Sequence, residues 1–403
     1  MSKAGRKQED LAPRWMDKTF FEKALQSSDG DPDLTVTSTQ VERATALGDN
    51  FLSVMYRVTV QVKRGDKTEE RSLIVKTEPT MEAMVQVAAK GVVFEREVKM
   101  LRDIIPEMNR LLEEIMPGKC QPFGAKFIYS HKGTENNVIV LEDLKKTGFK
   151  MADKSKGLDL NHCLLVMRAL ARFHAASVAL KKRNPKLLEP FMKNEMIEVF
   201  GSEFKDMFSF LFANVAKEIE KWPKCGERYS KKILNIAPNA ADMHVKGRTR
   251  DDEEFNVLSH GDLWANNIMF SYSDSGYPLD LRFVDFQISY WVSPALDLQN
   301  FIVSSTSCGL LDSPNILLQE YYSTLEETLT LFGYKNLLPS WEKFNNLLAK
   351  RGHYATACLL SVRCSVVSQP NTFPDKDGSF HYSEAYMKSL KRILPVFEEK
   401  EWF

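Results

Sequence analysis

Residues 257–270, with the sequence VLSHGDLWANNIMF, place four polar side chains within an otherwise apolar run. The four are His260, Asp262, Asn266 and Asn267. A buried polar group needs a hydrogen-bond partner, because leaving it unpaired costs about 1–3 kcal/mol. Four such groups in one apolar stretch therefore raise the question of what chemistry they serve.

A following strand adds another acidic residue to the same region. The turn SDSGYP (273–278) leads to LRFVDF (281–286), in which Asp285 lies between apolar neighbours. A strand (VLSH), a loop (GDLWA) and a second strand (NNIMF) would bring Asp262 and Asn267 to one edge, next to the strand end that carries Asp285. Three oxygen-bearing side chains on neighbouring strand ends suit Mg²⁺, which accepts one or two protein groups when phosphates and water complete its octahedron.

Taken singly, each of these three residues has a simpler explanation. Asp262 or Asn267 alone is more typical of a turn, and Asp285 alone is more typical of a hydrogen-bonded structural group. Together, the pattern H-G-D-x-x-x-x-N with a following D-F predicts phosphoryl-transfer chemistry.

Three nearby residues are interpreted as structural. His260 and His174 are expected to be core histidines, and His260 is expected to brace the loop that carries Asp262. Asp297, three residues after Pro294, is expected to cap or anchor the helix beneath that loop.

Phosphoryl transfer also needs a cation on the phosphates, because the transition state spreads negative charge over the transferred group. Lys76, at the end of the strand SLIVK, is the candidate in the first third of the chain. Glu97 lies three residues after Phe94 and four before Leu101, on the apolar face of a predicted helix, where an unpaired carboxylate would be costly. A buried pair of Lys76 and Glu97 explains both residues at once.

The elements that must position these residues divide the chain into two parts. Hydrophobic periodicity in the first third predicts helices over 14–27 and 81–105, the second ending at Pro106, and strands over 54–63, 71–76, 125–130 and 136–144. After residue 145 the pattern is mostly helical, apart from strands near 257–286. This shift predicts an α+β protein with an antiparallel-sheet lobe over 1–143 and a mainly helical lobe over 144–403.

Two further segments are predicted to contact a nucleotide. GDNFLSV (48–54) forms the bend before the first long strand, where Gly48, Ser53 and backbone N–H groups could touch phosphate. An ordinary hairpin turn is nearly as consistent with that short motif. VLEDL (140–144) joins the two parts, and its backbone around Glu142 and Leu144 is expected to face an adenine edge.

The composition excludes several function classes. Lys plus Arg and Asp plus Glu both number 54, so a net charge of zero favours neither nucleic acid nor an anionic membrane. Six cysteines without a C-x-x-C pair, and an N-terminus without the apolar core of a signal peptide, predict free thiols and a cytoplasmic location. The stretch 286–311 carries a single charge but too many uncompensated polar groups for a lipid-facing span, so it predicts a buried helix rather than membrane insertion.

Several segments of the chain resemble those of a known family. The segments GDNFLSVMYRV, VFEREVKML, VLEDL, LARFHA, SHGDLWANNIMF and VDFQISYWVSPALDLQNF are similar to those of the ecdysteroid kinase-like family of small-molecule kinases, which is related to choline kinases and aminoglycoside phosphotransferases. The likeness extends over about residues 35 to 395 and is strongest at 257–301.

This resemblance implies a protein-kinase-like two-lobed fold, ATP with Mg²⁺, and phosphorylation of a hydroxyl on a small molecule. Carried over by position, Asp262 matches the catalytic base and Asn267 and Asp285 match the metal ligands. Lys76 and Glu97 match the pair that holds the phosphates. The expected protein is a monomer, and its expected partner is a small hydroxylated substrate, a steroid alcohol or a hydroxylated foreign compound.

Alternative functions differ in acceptor or in activity. Only eleven residues, 286–296, separate Asp285 from Asp297 and no A-P-E follows, which leaves little room for the peptide platform of a protein kinase. A choline-, ethanolamine- or aminoglycoside-type kinase stays open. A catalytically silent nucleotide- or lipid-binding module would predict the loss of Asp262, Asn267 or Lys76. The aromatic-rich segment 191–229 is interpreted as part of the hydrophobic core. The alternative is that part of it lines an apolar substrate pocket.

Overall fold

The computed structural model describes residues 13–45, 53–79, 82–90, 92–133, 137–367 and 382–403. The first part of the chain contains helix α1 (Lys18–Asp29), strands β1 (Thr35–Arg43), β2 (Val54–Arg64) and β3 (Lys67–Thr77), helices α2 (Glu82–Lys90), α3 (Val93–Lys99) and α4 (Ile105–Ile115), and strands β4 (Phe127–Lys132) and β5 (Asn137–Glu142). The five strands form one antiparallel sheet in the order β1-β2-β3-β5-β4.

The second part is mostly helical, with short strands inserted between helices. Its elements are β6 (Lys150–Met151), α5 (Leu160–Arg183), α6 (Pro185–Leu188), α7 (Met196–Ser202), α8 (Lys205–Glu220), α9 (Gly226–Ile236), α10 (Ala240–Arg248), β7 (Val257–Ser259), β8 (Ile268–Tyr272), β9 (Pro278–Phe283), β10 (Tyr290–Val292), α11 (Ala295–Ser305), α12 (Cys308–Asp312), α13 (Asn315–Leu331), α14 (Trp341–Lys350), α15 (Gly352–Ser361), α16 (Arg363–Val366) and α17 (Glu384–Glu399). The predicted α+β fold, with an antiparallel-sheet lobe followed by a mainly helical lobe, is confirmed. The division between residues 143 and 144 stays a prediction.

The sheet of the N-terminal lobe places Lys76 at its centre. Val54, Tyr56, Val58, Val60 and Val62 of β2 are all buried, as their alternation predicts. The adjacent strand β3 lies between β2 and β5, with Lys76 opposite Met55 on one side and Ile139 on the other. Helix α1 covers the sheet through Phe21 and Leu25.

Strand β1 is absent from the predictions, because its sequence TVTSTQVER lacks an apolar alternation. It forms the edge of the sheet, and in it only Val36 is buried. A strand with one buried side chain is held by its pairing with β2 rather than by its own hydrophobic face.

The predicted long helix over 81–105 begins where expected, at Glu82, but the prediction is wrong about its middle and its end. It is interrupted before Val93, because Val92 takes a left-handed conformation with φ of 51°. It then continues past Pro106 to Ile115 through a π-helical turn at Met100–Ile104. Proline lacks a backbone N–H and its ring collides with an ordinary helical carbonyl, so a wider turn directly before Pro106 lets the helix continue.

Helix α5 forms the core of the C-terminal lobe. Most of its residues from Cys163 to Leu180 are buried. Among the described residues it is the one helix long and apolar enough to cross a membrane by length and composition, but 72% of its most apolar window is buried inside the protein. The predicted buried helix within 286–311 is α11, all of whose residues from Ala295 to Ser305 are buried.

Burial of His244 on α10 predicts that acid destabilises this lobe. The ring stacks on Phe208 at 4.0 Å, lies 3.1 Å from the Ser361 hydroxyl and accepts from Arg248 at 3.3 Å. Burial, with the charge of Arg248 in addition, holds the pKa of His244 well below 6.5. Below about pH 6.5, His244 therefore binds a proton in the unfolded chain but not in the folded protein. The free energy of unfolding is expected to fall by about 1.4 kcal/mol per pH unit from this residue.

Urea unfolding at pH 7.5, 6.5 and 5.5 checks this. His244→Gln is expected to unfold with a shallower dependence on pH, while His131→Gln, at an exposed position on β4, keeps the original slope. His260, whose pKa is also lowered by burial, retains part of the slope in the first variant. Equal slopes in the three proteins would contradict the prediction.

Candidate active site

The loop between β7 and β8 carries Asp262 and begins with a glycine that the geometry requires. Gly261 has φ of 85°, and a Cβ on it would lie 2.2 Å from the backbone oxygen of Ile288. Only glycine fits both the left-handed conformation and this close approach. The loop ends in a 3₁₀ turn at Ala265–Asn267, from which Asn267 enters β8.

The strand pairing around this loop differs from the prediction. β7 does not pair with β8; it pairs with β10, whereas β8 pairs with β6 and β9. The loop still brings the predicted side chains together: Asn267 Nδ2 donates to the Asp262 backbone oxygen at 2.9 Å and to Asp262 Oδ2 at 3.1 Å.

Asp297 holds the loop from below. Its buried carboxylate accepts the backbone N–H of His260 at 2.7 Å and that of Gly261 at 2.9 Å, and it lies 3.1 Å from His174 Nε2. His174 in turn contacts the Tyr321 hydroxyl at 2.8 Å. Asp297 therefore anchors the loop above helix α11 rather than capping the helix.

His260 is also held on both sides. Its Nε2 lies 3.0 Å from the Val284 backbone oxygen, and its Nδ1 accepts the Asp262 backbone N–H at 3.3 Å. The histidine thus connects the Asp262 loop to the end of β9, one residue before Asp285, which agrees with a bracing role.

Replacing Asp297 by asparagine is expected to destabilise the protein by about 1–3 kcal/mol, because an amide NH₂ would face backbone donors that now share two carboxylate oxygens. Turnover is expected to fall with it, since the Asp262 loop loses its anchor. Thermal unfolding compared with Asp242→Asn, the same change at an exposed position on α10, checks the effect. Equal unfolding midpoints in the two variants would contradict an anchoring role.

Asp285 follows β9 and occupies a left-handed conformation with φ of 68°. Aspartate tolerates this region better than most residues, and such backbone is common where a side chain is aimed at a site. Oδ1 accepts from Lys76 Nζ at 2.7 Å and Oδ2 accepts from Gln287 Nε2 at 3.3 Å. The side chain is 23% exposed, so part of the carboxylate is open to solvent.

Lys76 and Glu97 form the predicted buried pair. Nζ lies 2.6 Å from Glu97 Oε2, and the two side chains are 5% and 3% exposed. Burial alone would lower the pKa of Lys76, but the carboxylates of Asp285 and Glu97 outweigh it and hold the pKa above its usual value. The lysine is therefore charged, and it joins the sheet lobe to the helical lobe through Asp285.

Asp262 has the chemistry of a poised acceptor. Burial raises the pKa of Asp262 to about 6, and the nearby charge of Asp285 adds to the rise. A carboxylate whose pKa lies nearer neutrality is a stronger base toward a hydroxyl proton than an ordinary aspartate is.

The donor set fits a magnesium ion held by few protein groups. Within the described part of the chain, no group of three His, Cys, Asp or Glu residues could hold a metal. Asn267 uses its Nδ2 on Asp262, so its amide oxygen faces the other way, and Asp285 supplies a partly exposed carboxylate. One carboxylate and one amide oxygen suit Mg²⁺ when phosphates and water supply the remaining ligands.

The structure describes three of the four residues that were predicted to contact a nucleotide. Gly48 lies outside the described residues, and Ser53 is buried directly before β2. The Glu142 side chain accepts the Lys126 backbone N–H at 2.7 Å, and the Leu144 carbonyl accepts that of Phe149 at 2.9 Å. Contacts from these residues to a nucleotide stay predictions.

Two buried arginine contacts were missed by the sequence predictions. Arg57 donates to the buried carboxylate of Asp143 at 2.7 Å, next to the VLEDL segment. Arg96, one residue before Glu97, is 6% exposed and contacts the C-terminal lobe. If α3 were buried on one face only, Arg96 would lie in solvent. Its burial can therefore be predicted only once α3 is known to be enclosed on two sides.

Comparisons with known proteins give one family match and likenesses to solved structures. A sequence model of the family described as the ecdysteroid kinase-like family matches residues 47–334. A search of curated proteins gave no significant match. Among solved structures, the chain is similar to an ethanolamine kinase from Plasmodium vivax, with 14% sequence identity, a TM-score of 0.41, and coverage of 94% of this chain and 88% of that chain. It is also similar to the GDP complex of wild-type aminoglycoside 2'-phosphotransferase-IIIa, with 14% identity, a TM-score of 0.36, and coverage of 95% and 98%.

Proposed function

The chain belongs to the ecdysteroid kinase-like family of small-molecule phosphotransferases, and on that premise we propose that it uses ATP and Mg²⁺ to phosphorylate a hydroxyl of a steroid alcohol or a hydroxylated foreign compound. The observation that carries the proposal is the contact of Lys76 Nζ with both Glu97, at 2.6 Å, and Asp285, at 2.7 Å. Phosphoryl transfer needs a cation fixed by a carboxylate, here Lys76 with Glu97 of α3, beside a second carboxylate that can hold the metal, here Asp285.

The reaction follows from what each side chain can do. Asp262 accepts a hydrogen bond from the substrate hydroxyl, orients its oxygen and takes its proton as the new phosphate ester forms, while the P–O bond to the leaving ADP breaks. Asn267 and Asp285 would hold the Mg²⁺, and Lys76, fixed by Glu97, neutralises phosphate oxygens. Bound ATP with Mg²⁺ supplies the transferable phosphoryl group and charge compensation for it. Most of the acceleration then comes from positioning and from fixed charges.

A small acceptor fits the segment after Asp285 better than a peptide does. That segment is already used by β10 (Tyr290–Val292) and by the start of α11 at Ala295. Ser289 Oγ donates to the His260 carbonyl at 3.0 Å, so the segment packs against the Asp262 loop. Little chain is left that could form a platform for a peptide.

Several aromatic residues of the segment 191–229 pack in the core. Phe191, Phe208, Phe212 and Tyr229 are buried in the core of the C-terminal lobe. Phe210 is 47% exposed. The contribution of this segment to an acceptor pocket, the monomeric state and the cytoplasmic location stay predictions.

A substrate screen tests the proposal. The protein is incubated with ATP and Mg²⁺ and with hydroxylated sterols, phenolic glycosides or amino alcohols, and products are searched by mass spectrometry for one added phosphate group. We expect phosphate on a sterol or phenolic hydroxyl and none with Asp262→Asn. Phosphorylation of amino alcohols alone would overturn the proposed acceptor class. ATP binding without any product across the three classes would favour a silent nucleotide-binding module.

A further inference from the structure

Arg96 makes a set of contacts that the proposed reaction does not yet use. Its guanidinium donates to the buried carbonyl of Ser289 at 3.0 Å, with longer contacts to the carbonyls of Lys193 at 3.4 Å and Pro190 at 3.5 Å. It also pairs with Glu195. One side chain of α3 thus binds two separate segments of the C-terminal lobe.

Ser289 connects Arg96 to the residues that do the chemistry. It lies four residues after Asp285, and its backbone N–H donates to the Phe286 carbonyl at 3.2 Å. Its Oγ donates to the His260 carbonyl at 3.0 Å, two residues before Asp262. The carbonyl that Arg96 holds therefore belongs to the short segment between the predicted metal ligand and the Asp262 loop.

The start of α3 needs such a tether. Val92, which precedes the helix, is a β-branched residue with φ of 51°, a conformation that such residues rarely adopt. Its side chain makes no capping hydrogen bond. Because the local sequence gives the helix start little support, contacts with the other lobe must fix the position of the first turn, which directly precedes Glu97.

The contacts to backbone carbonyls matter more than the ion pair. Glu195 has 36% of its side chain exposed, so its attraction for Arg96 is weakened by water. Arg96 itself is 6% exposed, and the Ser289 contact is buried. A planar guanidinium can reach several carbonyls at once, whereas a lysine ammonium at that position cannot.

We propose that Arg96 is a positioning residue that fixes Glu97 against the Asp285 segment, so that Lys76 is shared between the two carboxylates before nucleotide arrives. The inference rests on the proposed use of ATP with Mg²⁺. Without Arg96, Glu97 moves away with its helix, and Lys76 pairs with Asp285 alone. The same carboxylate is then less available to the metal, and Lys76 is less well placed for phosphate.

Four variants test this in the full chain: Arg96→Met, Arg96→Lys, Glu195→Gln and Arg102→Met. Arg102 lies on the following π-helical turn with 52% of its side chain exposed, and it serves as the matched control. The readouts are the Kd for ATP with Mg²⁺ by calorimetry, kcat and KM with an accepted hydroxyl substrate, and hydrogen exchange over residues 93–99 and 286–292.

We expect Arg96→Met to weaken ATP binding and lower kcat by about 10- to 100-fold, with the KM for the acceptor unchanged. Exchange should accelerate in both segments together. Arg96→Lys, which keeps the charge and the aliphatic stem, should fold and show a smaller loss in the same direction. Glu195→Gln should change ATP binding less than about fivefold, and Arg102→Met should change nothing.

The outcomes separate this inference from the proposed function. If the unsubstituted protein binds no ATP, the proposed function fails and the role of Arg96 with it. If the unsubstituted protein binds ATP, but both Arg96 variants bind it equally well, the role of Arg96 alone is overturned. If Arg96→Met does not fold, Arg96→Lys decides: unchanged ATP affinity with unchanged exchange would reject the inference.

Discussion

Replacing Asp262 by asparagine is expected to lower kcat by about 10²–10⁴-fold, the range for loss of a positioned proton acceptor. Asparagine keeps the hydrogen bond with Asn267, which lies 3.1 Å away, and keeps the shape of the loop. It cannot take the proton of the acceptor hydroxyl. Steady-state turnover of ATP with an accepted substrate measures the loss.

The same variant is expected to be as stable as the unsubstituted protein, or more so. In the metal-free protein Asp262 lies near the charge of Asp285, and removing one carboxylate charge relieves that repulsion. Lost turnover with retained stability distinguishes a chemical role from a structural one. Asp274→Asn, the same change on an exposed turn between β8 and β9, is the control and should keep full turnover. Unchanged turnover in Asp262→Asn would remove this residue from the reaction.

The second large effect is expected for Lys76→Met. Methionine retains most of the side-chain volume but removes the ammonium that contacts Glu97 and Asp285 at 2.6 and 2.7 Å. Two carboxylates then face one another without a cation, and the phosphates lose their fixed positive charge. We expect a fall in kcat of about 10²–10³-fold, the cost typical of losing one preorganised electrostatic group, together with weaker ATP binding.

Lys67→Met gives a matched control at the other, exposed end of the same strand, β3. It should leave both ATP affinity and turnover unchanged. Thermal unfolding identifies any part of the Lys76→Met effect that comes from loss of folded protein, because the buried Glu97 and the partly exposed Asp285, both uncompensated, also destabilise the fold. ATP affinity equal in the two variants would show that Lys76 does not hold the phosphates.

Much of the arrangement around Lys76 could be predicted from the sequence. Burying an unpaired charge is so costly that a charged residue on an apolar face implies an oppositely charged partner nearby. Glu97 lies on the apolar face of its helix, and a lysine at the end of a central strand is the cation within reach. The grouping of Asp262 with Asn267 followed from a spacing of five residues, which one loop and one turn can close.

Other features have no signal in local periodicity. Strands β7 and β10 have three residues each, too few for an alternation, so their pairing with one another follows from tertiary packing. The π-helical turn before Pro106 depends on how α3 and α4 are enclosed. Burial of Arg96 depends on carbonyls 94 to 193 residues away in the chain, which no pattern within one helix can indicate.

The double contact of Lys76 has a consequence for ion selectivity. In the protein without nucleotide, the Lys76 ammonium compensates the charge of Asp285. A divalent ion from solution must therefore compete with a cation that is covalently part of the protein. Under the proposed function, the phosphate groups of a bound nucleotide would draw the ammonium toward themselves and free the carboxylate for the accompanying ion. On the same proposal, divalent capture would therefore be coupled to nucleotide arrival, and the protein without nucleotide is expected to bind free calcium or magnesium weakly.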